Sequence, residues 1–258
     1  MKKIIYIVIL FAKFYLFAQE NKIIKYEFQD KDGFTCNSSL FIVNDESIYR
    51  IEDSRKDGVQ DENTSDGKFI VISNDSISKI IFSDNKQSIT RIPLYKNEII
   101  YKTLQEKNDF VLTGKTKMFN NYNCQEANLD LNGRKYSIWF TQEIEINYGP
   151  LKLNGLPGLI VEIYEDTNKT KITLKSIEKL SETVQFEKYK KYIYSKTILD
   201  FQKYEDNIIS IMCAYKAKKI AKVRELGGEI EFNETQEGFT KLLIDVPSKL
   251  VLELKKIN

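Results

Sequence analysis

No histidine occurs among the 258 residues of this chain. Ser-His-Asp and Cys-His catalysis need an imidazole that titrates near neutral pH, and most catalytic zinc sites use one as a ligand. A carboxylate pair, as in glycoside hydrolysis, or a Ser-Lys arrangement remains open. Acids are plentiful, including Glu143, Glu145, Glu162 and Glu165, but the strand pattern puts most of them on a polar sheet face or in turns. No catalytic residue is assigned, and the expectation is a protein that is not an enzyme.

Three cysteines, Cys36, Cys124 and Cys213, are an odd number for a compartment that oxidises thiols. Their spacing fits no metal motif, so neither a metal nor a cofactor is expected. Two readings stay open. All three act as small buried hydrophobes, or Cys36 and Cys124 bridge two strands while Cys213 remains a buried helical thiol.

The elements that position these side chains read as short β-branched and aromatic runs between Asp, Asn, Gly and Ser clusters. Strands are expected at Lys22–Gln29, Ser39–Asn44, Ser47–Glu52, Lys68–Ser73, Lys79–Phe82, Ser88–Ile92, Asn97–Thr103, Phe110–Thr113 and Lys115–Phe119. Asp53 to Asp66 reads as a loop. In the hairpin Tyr122–Thr141, Asn132-Gly133 is the preferred chemistry of a two-residue turn and sets the register. Leu129 then faces Tyr136, Ala127 faces Ile138 and Glu126 faces Trp139, so that Leu129, Ala127, Tyr136, Ile138 and Phe140 share an apolar face. Trp139 is a lone large aromatic on the other, mostly polar face. Either a helix or the turn that follows covers it, or the indole is offered to a ligand.

That turn, Tyr148 to Ile160, packs two prolines and three glycines around leucines and reads as a rigid apolar element pressed on a core or a partner. Tyr148, Pro150, Leu156 and Pro157, with Trp139, are the candidate ligand-binding residues. Tyr122, Cys124 and Ala127, then Gly133, Arg134, Tyr136 and Trp139, then Gly149-Pro150, then Gly155 to Ile160 form an ordered pattern that resembles the GLPGLI family of secreted bacterial proteins. The resemblance covers about residues 95–180 and assigns no activity.

Residues 1–18, with Lys2, Lys3 and an apolar stretch ending at Ala18, read as a signal peptide, leaving 19–258 as one β-rich domain. The leader holds three lysines and no acid, so its removal takes Lys+Arg from 39 to 36 against 37 Asp+Glu, and the net charge from +2 to −1. A near-neutral chain has no general electrostatic reason to seek nucleic acid. No later run is long enough for a membrane span, and a periplasmic or secreted location is expected. Lys188 to Lys191 and Lys216 to Lys219 read as solvated helix surface.

Past the turn, Gly158–Asp166 and Lys169–Leu180 form another hairpin, closed by Asp166-Thr-Asn168. From Phe186 to Leu226 there is no Pro or Gly, and Ser195 or Thr197 is placed to cap a long helix that stops at Gly227-Gly228. A last strand is expected over Lys241–Leu254. The fold class is therefore α+β, mainly antiparallel β: a large twisted or half-barrel sheet with a long C-terminal helix packed over it, with a closed barrel or sandwich as the alternative. The function expected is binding of an apolar ligand or an envelope protein in a sheet groove. A structural envelope role and a carboxylate hydrolase are the other readings.

Overall fold

The computed structural model describes residues 21–29, 35–52, 79–93, 98–105, 107–131, 134–166, 170–225, 227, 253 and 256. The expected leader 1–18, the loop Asp53 to Asp66, the strand Lys68–Ser73, the turn residues Asn132-Gly133 and Thr167-Asn168, and Gly228 lie outside them. So does the expected strand Lys241–Leu254 except Glu253, whose carbonyl accepts the Lys256 N–H at 3.2 Å in a helical turn.

The strands are β1 (Lys22–Gln29), β2 (Thr35–Val43), β3 (Glu46–Ile51), β4 (Ile80–Ser83), β5 (Gln87–Pro93), β6 (Glu98–Leu104), β7 (Val111–Phe119), β8 (Tyr122–Leu131), β9 (Arg134–Thr141), β10 (Leu159–Glu165) and β11 (Thr170–Lys179). They form one open antiparallel sheet of 11 strands in the order β6-β5-β4-β3-β2-β1-β11-β10-β9-β8-β7, not closed into a barrel. Two-residue turns hold tight hairpins. Asn44 between β2 and β3, and Asn120 between β7 and β8, take φ of +53° and +51°, the left-handed conformation that asparagine tolerates best among side-chain-bearing residues. The Asp84 carboxylate accepts the N–H groups of Lys86 and Gln87 at 2.7 and 2.8 Å, turning the chain from β4 into β5.

Strand alternation gives the sheet two faces. The inner face carries Tyr26, Leu40, Tyr49 and Ile81 from one half and Ala127, Tyr136, Ile138 and Phe140 from the other, all in one continuous buried core. The segment between β9 and β10 closes over it, burying Ile146, Leu153 and Leu156 in the same cluster. The apolar groove expected here is thus occupied by the chain's own side chains. Tyr26 Oη donates to the Ile160 carbonyl at 2.9 Å across β11, tying the two halves together.

The helical region holds the expected long helix and a shorter one before it. Helix α1 (Val184–Tyr194) buries Phe186, Tyr189 and Ile193 against Phe41, Ile48, Phe82, Ile89 and Ile100 of the outer face. Helix α2 (Phe201–Glu225) sets Tyr204, Ile208 and Met212 against Ile92, Ile99 and Tyr101 of the inner face. Tyr101 and Tyr204 stack at 3.8 Å. Ile100 points one way and its neighbours Ile99 and Tyr101 the other, so the connection passes around the β6 edge. Leu199 pairs there: its N–H donates to the Ile100 carbonyl at 2.8 Å and its carbonyl accepts the Lys102 N–H at 2.9 Å. The cap of α2 is Asp200, whose carboxylate accepts the Lys203 N–H at 2.9 Å, in place of the expected Ser195 or Thr197.

Two further expectations are corrected. Phe110–Thr113 and Lys115–Phe119 are one strand interrupted by a bulge between Leu112 and Thr116. Lys216, expected on a solvated surface, is 3 % exposed, and Lys190 bonds Glu46 at 2.5 Å beneath the Phe82 ring. Long lysine stems lie along apolar surface while their ammonium groups find partners.

Candidate functional site

The outer face differs sharply between its halves. Over β2–β6 it is apolar and covered by α1; over β7–β11 and β1 it is polar and carries no helix among the described residues. Its centre is Trp139. The β8–β9 register matches the sequence expectation residue for residue, with Glu126 opposite Trp139 and Ala127 opposite Ile138. On the other side of Trp139 stands Glu162, because Val161 bulges out of β10 between Ile160, which faces Phe140, and Glu162. Without that extra residue Val161 would occupy the place.

Each carboxylate is held by cations and donors. Glu162 ion-pairs with Lys117 and with Lys171, the latter at 2.8 Å. Glu126 accepts from Thr113 Oγ1 at 2.7 Å and from Lys115 Nζ at 3.0 Å. The Lys117 ammonium lies 4.3 Å from the Trp139 ring centroid, a cation–π contact. Burial acts to raise the Glu162 pKa, but the hydrogen bonds and charges of Lys117 and Lys171 outweigh it and hold the carboxyl below its usual range. The Thr113 hydrogen bond does the same for Glu126, assisted by Lys115 against a desolvation cost. Both groups are therefore anionic at neutral pH: good acceptors for hydroxyl and amide donors, and unsuited to act as general acids.

The candidate residues named from sequence do not converge. Trp139 is half-buried on the polar outer face, with the Lys117 ammonium 4.3 Å from its ring centroid, and among the described residues neither a helix nor the Gly149–Ile160 turn covers it. Gly149 sits against the Ile160 side chain on the inner side, Pro150 and Leu156 are buried, and Pro157 is exposed. Tyr148 Oη donates to the Asp45 carbonyl at 2.5 Å and contacts Asn85 Oδ1 at 3.2 Å. It fastens the segment to the β2–β3 and β4–β5 turns; burial, then the charges of Asp45, Asp84 and Glu46, push its phenol up to about 12. The segment is a strap over the inner core, and only Trp139 faces an open polar surface.

All three cysteines are free. Cys36 on β2 and Cys124 on β8 are five strand positions apart in the sheet, about 24 Å along a flat one, and by strand alternation they point to opposite faces. The Cys36–Cys124 bridge is therefore not formed, since bridged Cα atoms lie within about 7 Å. Cys124 is buried and Cys213 half-buried, and burial pushes both thiols up.

Sequence reasoning placed Glu126 beside Trp139 but missed Lys117, Lys171 and Glu162. The bulges in β7 and β10 leave no periodic signal, and only the pairing of neighbouring strands reveals them.

A family described as "N-glycanase peptide, N-terminal domain" matches residues 36–206, that is 171 of the 258 residues, spanning β2 to the start of α2. The chain belongs to that family. Membership in the N-glycanase N-terminal domain family overturns the expectation of a protein that is not an enzyme: the domain is described from an enzyme, and lack of histidine excludes imidazole mechanisms, not catalysis at large. No comparison names the GLPGLI family. No curated protein matches. Among solved structures, PNGF-II in a C2 crystal form is similar at 15 % identity and TM-score 0.48, over 72 % of this chain and 32 % of that one. An uncharacterized conserved protein from Thermus thermophilus matches at 7 % identity and TM-score 0.39, over 70 % of this chain and 91 % of that one. A LolA superfamily protein from Nitrosomonas europaea matches at 11 % and 0.28, over 64 % and 88 %. The chain thus spans about a third of the length of PNGF-II. No helix among the described residues is long and apolar enough to cross a membrane.

Proposed function

We propose that this chain serves N-glycanase chemistry as the domain that grips an N-linked glycan, through the outer sheet face around Trp139. The observation that carries the proposal is the in-register row Glu126–Trp139–Glu162 on the open half of the sheet, in a chain of the N-glycanase domain family. An indole offers an apolar plate for the C–H face of a sugar ring. Two ionised carboxylates and the lysines beside them offer acceptors and donors to the ring hydroxyls and acetamido groups. The inner face, filled by its own core, supplies rigidity. Export follows the same reading: residues 1–18 act as a leader and 19–258 as the mature domain, and periplasmic or secreted glycoprotein is the target.

Trp139 is the sole tryptophan, so its emission reports on this site alone. Titration with a free chitobiose-core N-glycan is expected to give a saturable emission change, matched by calorimetric binding that Glu162→Gln weakens and Trp139→Ala abolishes. Neither heat nor emission change at millimolar glycan would overturn the proposal. Mass spectrometry of the exported protein is expected to find Gln19 at its N-terminus.

A further inference from the structure

Resting on the glycan reading above, we infer that the edge of β7, which no described residue pairs, takes the polypeptide that carries the glycan, as an added antiparallel or parallel strand. The two ends of the sheet are unlike. At the β6 edge the chain itself pairs with the exposed backbone through Leu199. At the β7 edge no described residue does so. Exposed edges of this kind are recruitment sites for an extended peptide, whose main-chain hydrogen bonds supply affinity and whose alternate side chains supply register. The edge carries apolar side chains in the open: Val111 is 66 % exposed, Leu112 60 % and Met118 59 %.

The bulge sits where such a peptide would need it. Thr113, Gly114 and Lys115 together stand opposite the single residue Glu126, because Leu112 pairs with Ala127 and Thr116 with Gln125. Gly114 takes φ +77° and has nothing within 4 Å of where a Cβ would be. The bulge therefore lies in line with the row Glu126, Trp139, Glu162, and it directs Thr113 and Lys115 onto Glu126. A strand added outside β7 lies three strand spacings from β9, about 14 Å. An asparagine of that strand directed to the outer face would launch its glycan across Lys115 and Glu126 toward Trp139, the first sugars covering the span. The occupant is thus a glycosylated, extended peptide. Bulges beside sites commonly re-aim side chains in this way.

Four ligands separate this inference from the glycan reading it builds on: the free glycan, an N-glycopeptide of about nine residues, the same glycopeptide N-methylated at alternate amides, and the peptide without glycan. Calorimetry is expected to rank the glycopeptide first, roughly tenfold or more above the free glycan, with N-methylation on the pairing side returning it to the free-glycan value. A protein variant combining Leu112→Glu with Met118→Glu, both at exposed positions, should lose the gain from the peptide while keeping free-glycan affinity. Equal affinity for the free glycan, the glycopeptide and its methylated form would overturn the edge site and leave the Trp139 site standing. Binding of the bare peptide with no response to glycan would keep the edge and overturn the glycan reading; silence from all four ligands would overturn both.

Discussion

Lys117 Nζ lies 4.3 Å from the centroid of the Trp139 ring while ion-paired to Glu162. One ammonium thus joins the aromatic plate to its flanking carboxylate, and the state of the carboxylate governs where the ammonium rests.

Acid should release it. Glu162 is held below its ordinary value of 4.5 by Lys117 and Lys171, against a desolvation cost. A depressed folded-state pKa contributes stability that is present above the unfolded value and lost as pH falls through the folded one. Trp139 emission and thermal stability should therefore be flat from neutral pH to about 5 and fall together below about 4.5. In Glu162→Gln the emission step should vanish. An unchanged emission step in that variant would assign it to another group.

Gly158 is the position in the strap least able to accept a side chain. It has φ +156°, and a Cβ there would stand 2.0 Å from the Thr141 carbonyl oxygen. Gly155, at φ +101°, would meet nothing nearer than the Lys107 Cβ at 3.6 Å. Thermal unfolding should show Gly158→Ala losing more than about 2 kcal/mol and Gly155→Ala about 1 kcal/mol, the second from backbone strain alone. Glu145→Ala, at an exposed position, serves as control. Equal, small losses at both glycines would contradict the contact with Thr141.

Helix α1 is pinned through Glu98, whose carboxylate binds Arg91 Nε at 2.7 Å, Lys196 Nζ at 3.0 Å and Tyr192 Oη at 2.5 Å. Arg91 is 1 % exposed. Removing the carboxylate takes one charged partner from that buried guanidinium, so Glu98→Ala should cost about 2 kcal/mol in chemical denaturation. Tyr192→Phe, which deletes one hydrogen bond, should cost about 1 kcal/mol. The reverse ranking would mean that the phenol, not the ion pair, holds the helix.

Thiol titration of the denatured, unreduced protein should count three free thiols per chain, since all three cysteines are free and Cys36 and Cys124 lie five strands apart in the sheet. A count of one would contradict the free state of all three cysteines.

The hairpin β8–β9 was legible in the sequence because a two-residue turn and a period of two leave one register that buries Leu129, Tyr136, Ile138 and Phe140 together. The same local logic exposed Trp139 as the odd aromatic on a polar face, showed most of the strands, and marked the Tyr148–Ile160 segment as apolar and pressed on a core. Alternation and turn chemistry act between near neighbours, so a linear reading captures them. What stands beside Trp139 is set otherwise. Glu162 reaches it through a one-residue bulge at Val161 and Lys117 arrives from β7, and a bulge is selected by packing across strands rather than by the residues within one. The placing of a second, shorter helix before the expected long one and on the opposite face, the separation of Cys36 from Cys124 and the burial of Lys216 are of the same kind. Each depends on which distant strand or helix lies alongside, a choice made by the burial of the whole core at once, and only the tertiary structure contains it.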